Sequence, residues 1–270
     1  MSLFQALILG LVQGLTEFIP VSSSGHLTLV PFIVGWEEPS LAFDVAVHAG
    51  TLAAVAWVFR ERVADLFRTA LHYRSATAFE QRLLKLIVIG TIPAVIVGIT
   101  LEGPVSSVFE RPVLVSFLLG LTGYFLMSTE SIIEHREERG RTESQIREVD
   151  AGVVGIGQAL SVLPGISRSG ATIVAGMRMG LDRVAATRFS FLLSVPILLG
   201  ALLAQLPDMA GEGLAGDGDA FLVGIVASGV SGFVAVRWFI GVISRRGLRP
   251  FGVYLILAMT AGLITALARG

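Results

Sequence analysis

Glu17-Phe18-Ile19-Pro20-Val21-Ser22-Ser23-Ser24-Gly25-His26 interrupts one long apolar stretch, about 3 to 34, and Val162-Leu163-Pro164-Gly165-Ile166-Ser167-Arg168-Ser169-Gly170-Ala171 interrupts another, about 151 to 180. Proline removes a backbone donor and, with glycine and serine beside it, stops a helix. Neither stretch reads as one continuous helix. At membrane depth a broken apolar segment is stable only where its freed backbone groups line a cavity or are covered by protein. Both stretches are therefore expected to be re-entrant pairs of half-helices whose breaks enclose something polar.

The surrounding chain supplies the membrane setting. Hydrophobic residues make up 53% of the 270 and charged residues 15%, and a mean hydropathy of +0.77 leaves too little polar surface to cover the protein in water. Apolar runs near the ~20 residues that cross a hydrocarbon core fall at about 41–59, 84–101, 113–132, 185–206, 220–243 and 251–268. They are helical in length and lack the short alternating segments of a β-barrel. The expected fold is an all-α polytopic membrane protein, one domain over 1–270, with six transmembrane helices and two re-entrant helix-loop-helix segments.

A shift of 145 residues lays Gly10, Gln13, Leu15, Ser22, Ser24 and Gly25 on Gly155, Gln158, Leu160, Ser167, Ser169 and Gly170 without a gap. Each copy, about 1–135 and 150–270, holds one broken segment followed by three spans. An odd number of crossings inverts one copy relative to the other. Basic residues mark cytoplasmic loops, and they gather in three: Arg60, Arg62, Arg68, Arg74, Arg82 and Lys85; Arg136, Arg139, Arg141 and Arg147; Arg245, Arg246 and Arg249. The intervening loops carry Glu102, Glu110 and Arg111, and Asp208, Glu212, Asp217 and Asp219. Both termini are then expected to face outward. The N-terminus has no positive n-region, so its first apolar segment is expected to stay in the protein.

A net charge of -1 gives no basic field for nucleic acid, and without cysteine there is neither a disulfide nor a thiolate site. Chemistry must come from the polar residues at the breaks. Gln13 and Glu17, four apart, share a helix face. A carboxylate in an apolar segment is costly unless paired or used. Ser22, Ser23 and Ser24 could simply cap the following half-helix, but three exceed what one cap requires. His26 lies three residues after Ser23, the relation of a nucleophile and its base. Arg168, between small residues, needs an anion: guanidinium grips phosphate through two oxygens, and a half-helix starting near Ser167 would add free N–H groups and a positive dipole end. A structural pairing of Arg168 with Glu17 or Asp44 would suit the same pattern. Gly10, Gly14, Gly155, Gly176 and Gly180 are read as helix-packing residues.

Residues 13–26 and 164–172 resemble the two signatures of the bacitracin-resistance type undecaprenyl-diphosphate phosphatases, and the likeness runs through Phe43-Asp44 and Phe189-Ser190-Phe191 over essentially the whole chain. The resemblance implies hydrolysis of a C55 isoprenoid diphosphate to the monophosphate and inorganic phosphate, recycling a lipid carrier for cell-wall synthesis. It implies a multi-pass protein of the bacterial inner membrane that works at the outer, periplasmic face. Catalytic roles then fall to Glu17, Ser23, His26 and Arg168, and substrate contacts to Gln13, Ser22, Ser24, Ser167, Ser169, Gly170 and Thr172. A divalent cation, magnesium or calcium, is implied at Glu17. The signature admits Glu or Gln at its first position, and Gln13 offers no carboxylate there. Partners are the polyprenyl diphosphate and membrane lipid, not nucleic acid; a homo-oligomer stays open, as does whether Ser23 or a water attacks. The alternative from another class is a secondary transporter or lipid flippase, since inverted repeats with broken helices also hold anions in carriers. Glu17, Ser23, His26 and Arg168 together exceed what anion holding requires.

Overall fold

The computed structural model describes residues 1–101, 103, 108–134, 140–211 and 218–269. Of the loop charges used for orientation, Glu102, Arg136, Arg139, Glu212 and Asp217 lie outside these. In chain order the helices are α1 (Leu3–Phe18), α2 (Ser23–Val34), α3 (Leu41–Val58), α4 (Arg60–Leu71), α5 (Ala78–Thr100), α6 (Pro112–Glu134), α7 (Glu148–Leu160), α8 (Arg168–Arg178), α9 (Arg183–Gly211), α10 (Gly218–Arg246) and α11 (Arg249–Arg269). No strand forms among the described residues. Helices α3, α5, α6, α9, α10 and α11 are long and apolar enough to cross a membrane, which makes this a multi-pass membrane protein of six candidate spans.

Both apolar stretches are divided where the sequence is interrupted. Residue Ile19, preceding Pro20, is pushed into extended backbone (φ -70°, ψ 140°) and ends α1. Ser22 then turns the chain with φ 68°, the one positive φ outside glycine among the described residues, and its Oγ accepts the Gly25 N–H to cap α2. In the second break Gly165 takes φ +93°, and a Cβ there would lie 2.7 Å from the Val115 carbonyl of α6. Only glycine meets both demands. Ser167 caps α8 as Ser22 caps α2, accepting the Gly170 N–H at 3.0 Å.

The region after residue 59, expected to be a loop, contains α4. Its charged residues face outward while Val63 and Leu66, three apart, pack on the core, so this helix is amphipathic and too short and charged to cross. Helices α5 and α10 also run past the apolar runs that mark them. Thr77 and Glu80 form a capping box that starts α5 at Ala78.

Helices α1 and α7 are clasped in the same way by different neighbours. A Cβ on Gly10 would lie 2.6 Å from the Gly224 carbonyl of α10, and one on Gly155 would lie 2.7 Å from the Gly90 carbonyl of α5. Backbone packs directly on backbone at both crossings. Gly155→Ala is expected to lower stability in detergent by about 1–3 kcal/mol, because the clash is with a main chain that cannot turn aside. Gly152→Ala on the same helix, with nothing within 4 Å of its added carbon, should gain about 0.5 kcal/mol from helix propensity. Thermal unfolding of the two variants checks this; equal effects would remove the close-crossing argument.

At the ends of the helices, ion pairs fasten the linkers. Asp150, fully buried, receives Arg141 through both oxygens and also Arg147. Glu130 of α6 accepts from Arg183 and from the Leu248 N–H, joining α6, α9 and the α10–α11 turn.

Candidate active site

The two breaks touch. A Cβ on Gly25 would approach Gly165 Cα to 3.2 Å, and Ser169 Oγ donates to the carbonyl of Ile19, the residue that follows α1, at 3.1 Å. Ser23 opens α2 and Arg168 opens α8, and both side chains reach the same carboxylate, that of Glu17.

Glu17 is the centre of what they enclose. Its Oε1 accepts from Arg168 Nη2 at 2.7 Å. Its Oε2 accepts from Ser23 Oγ at 2.5 Å and from Gln13 Nε2 at 3.1 Å. A buried carboxylate is tolerated when it is paired and saturated with donors, and Glu17 and Arg168 are both largely shielded, with side chains 5% and 13% exposed. Behind them Phe18 and Phe191 meet edge to face at 5.5 Å, and the Arg168 Cζ lies 5.9 Å from the Phe18 ring centre. The guanidinium is thereby held against an aromatic surface.

In front of this group lies a cavity of about 260 Å³. Its polar side is formed by Glu17, Ser23, Ser24, His48, Gln158 and Arg168, and Phe109, Ile197 and Leu198 give it an apolar wall. Of the other residues singled out from the sequence, Ser22 and Ser167 cap helices and also border the cavity. Their Oγ atoms contact those of Ser24 and Ser169. Gly170 supplies the N–H that Ser167 accepts. Thr172 is turned away into packing, bonded to Ser190 Oγ at 2.6 Å and to the Arg168 carbonyl at 2.8 Å.

His26 departs from expectation. Its Nδ1 lies 2.8 Å from the Ser22 carbonyl and its Nε2 2.6 Å from Tyr254 Oη on α11, with the two rings stacked at 5.6 Å. A carbonyl only accepts, so Nδ1 carries the hydrogen and Nε2 receives the tyrosine's. Both ring nitrogens are occupied and neither reaches Ser23. The three-residue spacing is misleading because Ser23, at the first helical position, leans back over the break to Glu17 while the His26 ring closes onto its own helix end.

The structure adds His48 of α3. Its Nδ1 meets the Asp44 carbonyl at 2.6 Å, and its Nε2 stands 3.8 Å from Glu17 Oε2. Asp44 and His48, a polar pair four apart in an otherwise apolar span, were the available signal. Gln158 likewise could have been found as the partner of Gln13 in the repeat.

A divalent cation at Glu17 does not suit this donor set. Both carboxylate oxygens are engaged, and among the described residues Glu17 is the one acid lining the cavity and no three His, Asp or Glu side chains gather. A hard cation asks for several anionic oxygens, whereas here a guanidinium already balances the single charge. Glu17 is accordingly assigned to Arg168 and Ser23.

Comparison with known proteins agrees with this architecture. Residues 6–261 match the family described as bacitracin resistance protein BacA. The chain is 40% identical over 260 residues to undecaprenyl-diphosphatase 2 of Stutzerimonas stutzeri, covering 95% of this chain and 96% of that protein. It is 38% identical over 270 residues to an undecaprenyl-diphosphatase of Pelotomaculum thermopropionicum, covering 100% and 98%. A third relative, the undecaprenyl-diphosphatase of Gemmatimonas aurantiaca, is 40% identical over 261 residues, 95% of each. Matched over nearly its whole length on every count, this chain with its two broken helix pairs belongs to the BacA family.

Proposed function

We propose that this chain hydrolyses undecaprenyl diphosphate to undecaprenyl phosphate and inorganic phosphate, returning the lipid carrier to cell-wall synthesis. The observation that carries the reading is the unbroken chain of contacts Ser23 Oγ, Glu17, Arg168 at the mouths of two helices, in a family whose relatives bear this activity in their names. A terminal phosphoryl group between the starts of α2 and α8 meets two positive helix ends. The Arg168 fork turns from Glu17 Oε1 to phosphate oxygens and neutralises charge as it gathers on the departing lipid phosphate. Glu17, released, accepts the proton that Ser23 already directs at Oε2. Attack by Ser23 itself and attack by a water beside Ser23 and Glu17 share this geometry, and trapping a phosphoserine separates them. The apolar wall at Phe109, Ile197 and Leu198 suits the first isoprene units.

On this reading the chain lies in the bacterial inner membrane with the cavity open to the periplasmic face, which the basic loops support. The broken pairs α1–α2 and α7–α8 are the re-entrant halves of an inverted repeat; the matched serine caps and the matched glycine crossings support it. Magnesium or calcium, if it takes part, would be held by the diphosphate oxygens and would help to neutralise their charge, with Glu17 left to Arg168 and Ser23.

Phosphate release from the C55 diphosphate by purified protein in detergent is the test, because a carrier or flippase has nothing to transport there. No release would sink the reading. Chelation is expected to leave the thermal midpoint of the substrate-free protein unmoved; a shift of several degrees would reveal a protein-built cation seat.

A further inference from the structure

Gln158 lies in the last turn of α7 and borders the cavity, 1% exposed. Its Nε2 donates to the Gly90 carbonyl at 3.2 Å. That carbonyl has no hydrogen to give, so the amide nitrogen is committed to it and Oε1 is the atom left over. Oε1 is buried and accepts no hydrogen bond from any described residue. Buried acceptors are ordinarily satisfied.

The neighbouring groups are of the opposite kind. Arg168 and the starts of α2 and α8 are donors suited to phosphate oxygens. A bare carbonyl oxygen repels those same oxygens and calls for a donor. Hydrolysis of a diphosphate brings one co-substrate with hydrogens to donate, which is water. Resting on the proposed hydrolase activity, we infer that Gln158 Oε1 accepts one O–H of the hydrolytic water and turns its lone pair toward phosphorus. This is the task of water-positioning glutamines in other phosphoryl-transfer sites.

The step balances without a further reactant. The water oxygen forms a bond to phosphorus while the bond from phosphorus to its leaving oxygen breaks, the electron pair staying on that oxygen. The leaving oxygen is the bridging oxygen of the lipid phosphate if water attacks the diphosphate, or Ser23 Oγ if Ser23 has first taken the phosphoryl group. One water hydrogen passes to Glu17 as a proton, and the other remains bonded to oxygen and directed at Gln158. In the Ser23 route Glu17 has already handed the Ser23 proton to the departing lipid phosphate, and it then returns the water's proton to Ser23 Oγ. Gln158 holds no proton at any point. Gln13, its mate in the repeat, also has a buried Oε1 without a partner, but it does not line the cavity.

Two acceptors facing one nucleophile favour water, which has two hydrogens, over an alcohol, which has one. Phosphoryl partition in water–methanol mixtures reads this directly. Wild type is expected to form methyl phosphate and inorganic phosphate in a ratio below the mole ratio of methanol to water. Gln158→Met and Gln158→Leu, which keep bulk and lose the acceptor, are expected to raise that ratio severalfold. Their kcat should fall on the order of 10²-fold, as for a misplaced reactant, with KM little changed. A fall in kcat with the partition unmoved would make Gln158 a packing residue and overturn the inference, as would wild-type kcat in either variant. If neither variant is monodisperse, the wild-type ratio decides: a value at or above the mole ratio overturns it. Absence of phosphate release by wild type is a different result, and it removes the hydrolase reading itself.

Discussion

Arg168→Lys is expected to release phosphate almost as slowly as Arg168→Ala, with kcat lower than wild type by about 10²–10³-fold, the usual loss when one donor to a developing charge is removed. Arg168 holds Glu17 through Nη2, reaches the Ser190 carbonyl through Nη1 at 3.5 Å and lies over Phe18. That arrangement fixes a plane. Lysine carries a point charge and cannot present two parallel N–H groups to a phosphoryl group. The two variants should nevertheless part company in stability. Lysine still neutralises Glu17, whereas alanine leaves a buried carboxylate unpaired, at about 3–5 kcal/mol. Steady-state phosphate release and thermal unfolding on the same preparations give both comparisons. Most of the wild-type kcat in the lysine variant would end the bidentate role and leave Arg168 as the structural counter-ion of Glu17.

Glu17→Gln and Ser23→Ala should each lower kcat by about 10²–10⁴-fold, the range for loss of a positioned acid-base group, and the double variant should be no worse than the poorer single. Residues that act as one unit are non-additive. Here the unit is the hydrogen bond from Ser23 Oγ to Glu17 Oε2; once either end is gone the other has no task. Ser22→Ala and Ser24→Ala should cost much less activity, because Ser22 caps α2 through the Gly25 N–H and contacts Ser24. Losses that multiply in the double variant, or equal losses at all three serines, would mean that Ser23 and Glu17 act separately.

What could be read in advance divides along the range of the interactions. The spans were legible because length and hydropathy are local properties, and the breaks were legible because Pro20, Pro164 and the serines are anomalies in apolar surroundings. Arg168 stood out for the same reason. Its partner did not: Glu17 and Asp44 were equal candidates on paper, and only packing brings α8 against the end of α1. His26 shows the converse. A spacing of three is a statement about backbone, while the ring direction was decided by Tyr254, 228 positions away in the chain. Polar residues inside otherwise regular spans carry a weaker mark: for His48 of α3 the sign was its pairing with Asp44 four residues before, whereas one imidazole by itself in an apolar helix looks like packing. Helix α4 was missed because its charges read as a loop and its apolar face spans only Val63 and Leu66.

The contact between Glu17 and Arg168 joins residues 151 positions apart, and it has a consequence for how the protein is made. A ribosome adding roughly 5–20 residues per second synthesises Arg168 about eight to thirty seconds after Glu17. Throughout that interval the first broken pair exists without its guanidinium. An isolated carboxylate is not stable in hydrocarbon, so Glu17 must wait either protonated or against water and the insertion machinery. Over the same interval the tip at residues 19–22 has only its own Val21 N–H on the Ile19 carbonyl and lacks the Ser169 hydroxyl that joins it later. Biogenesis of the first half therefore ends only when the second break has left the ribosome, with α9, α10 and α11 still to follow, and the ion pair that holds the candidate site together also marks the moment at which the two halves of the chain first join.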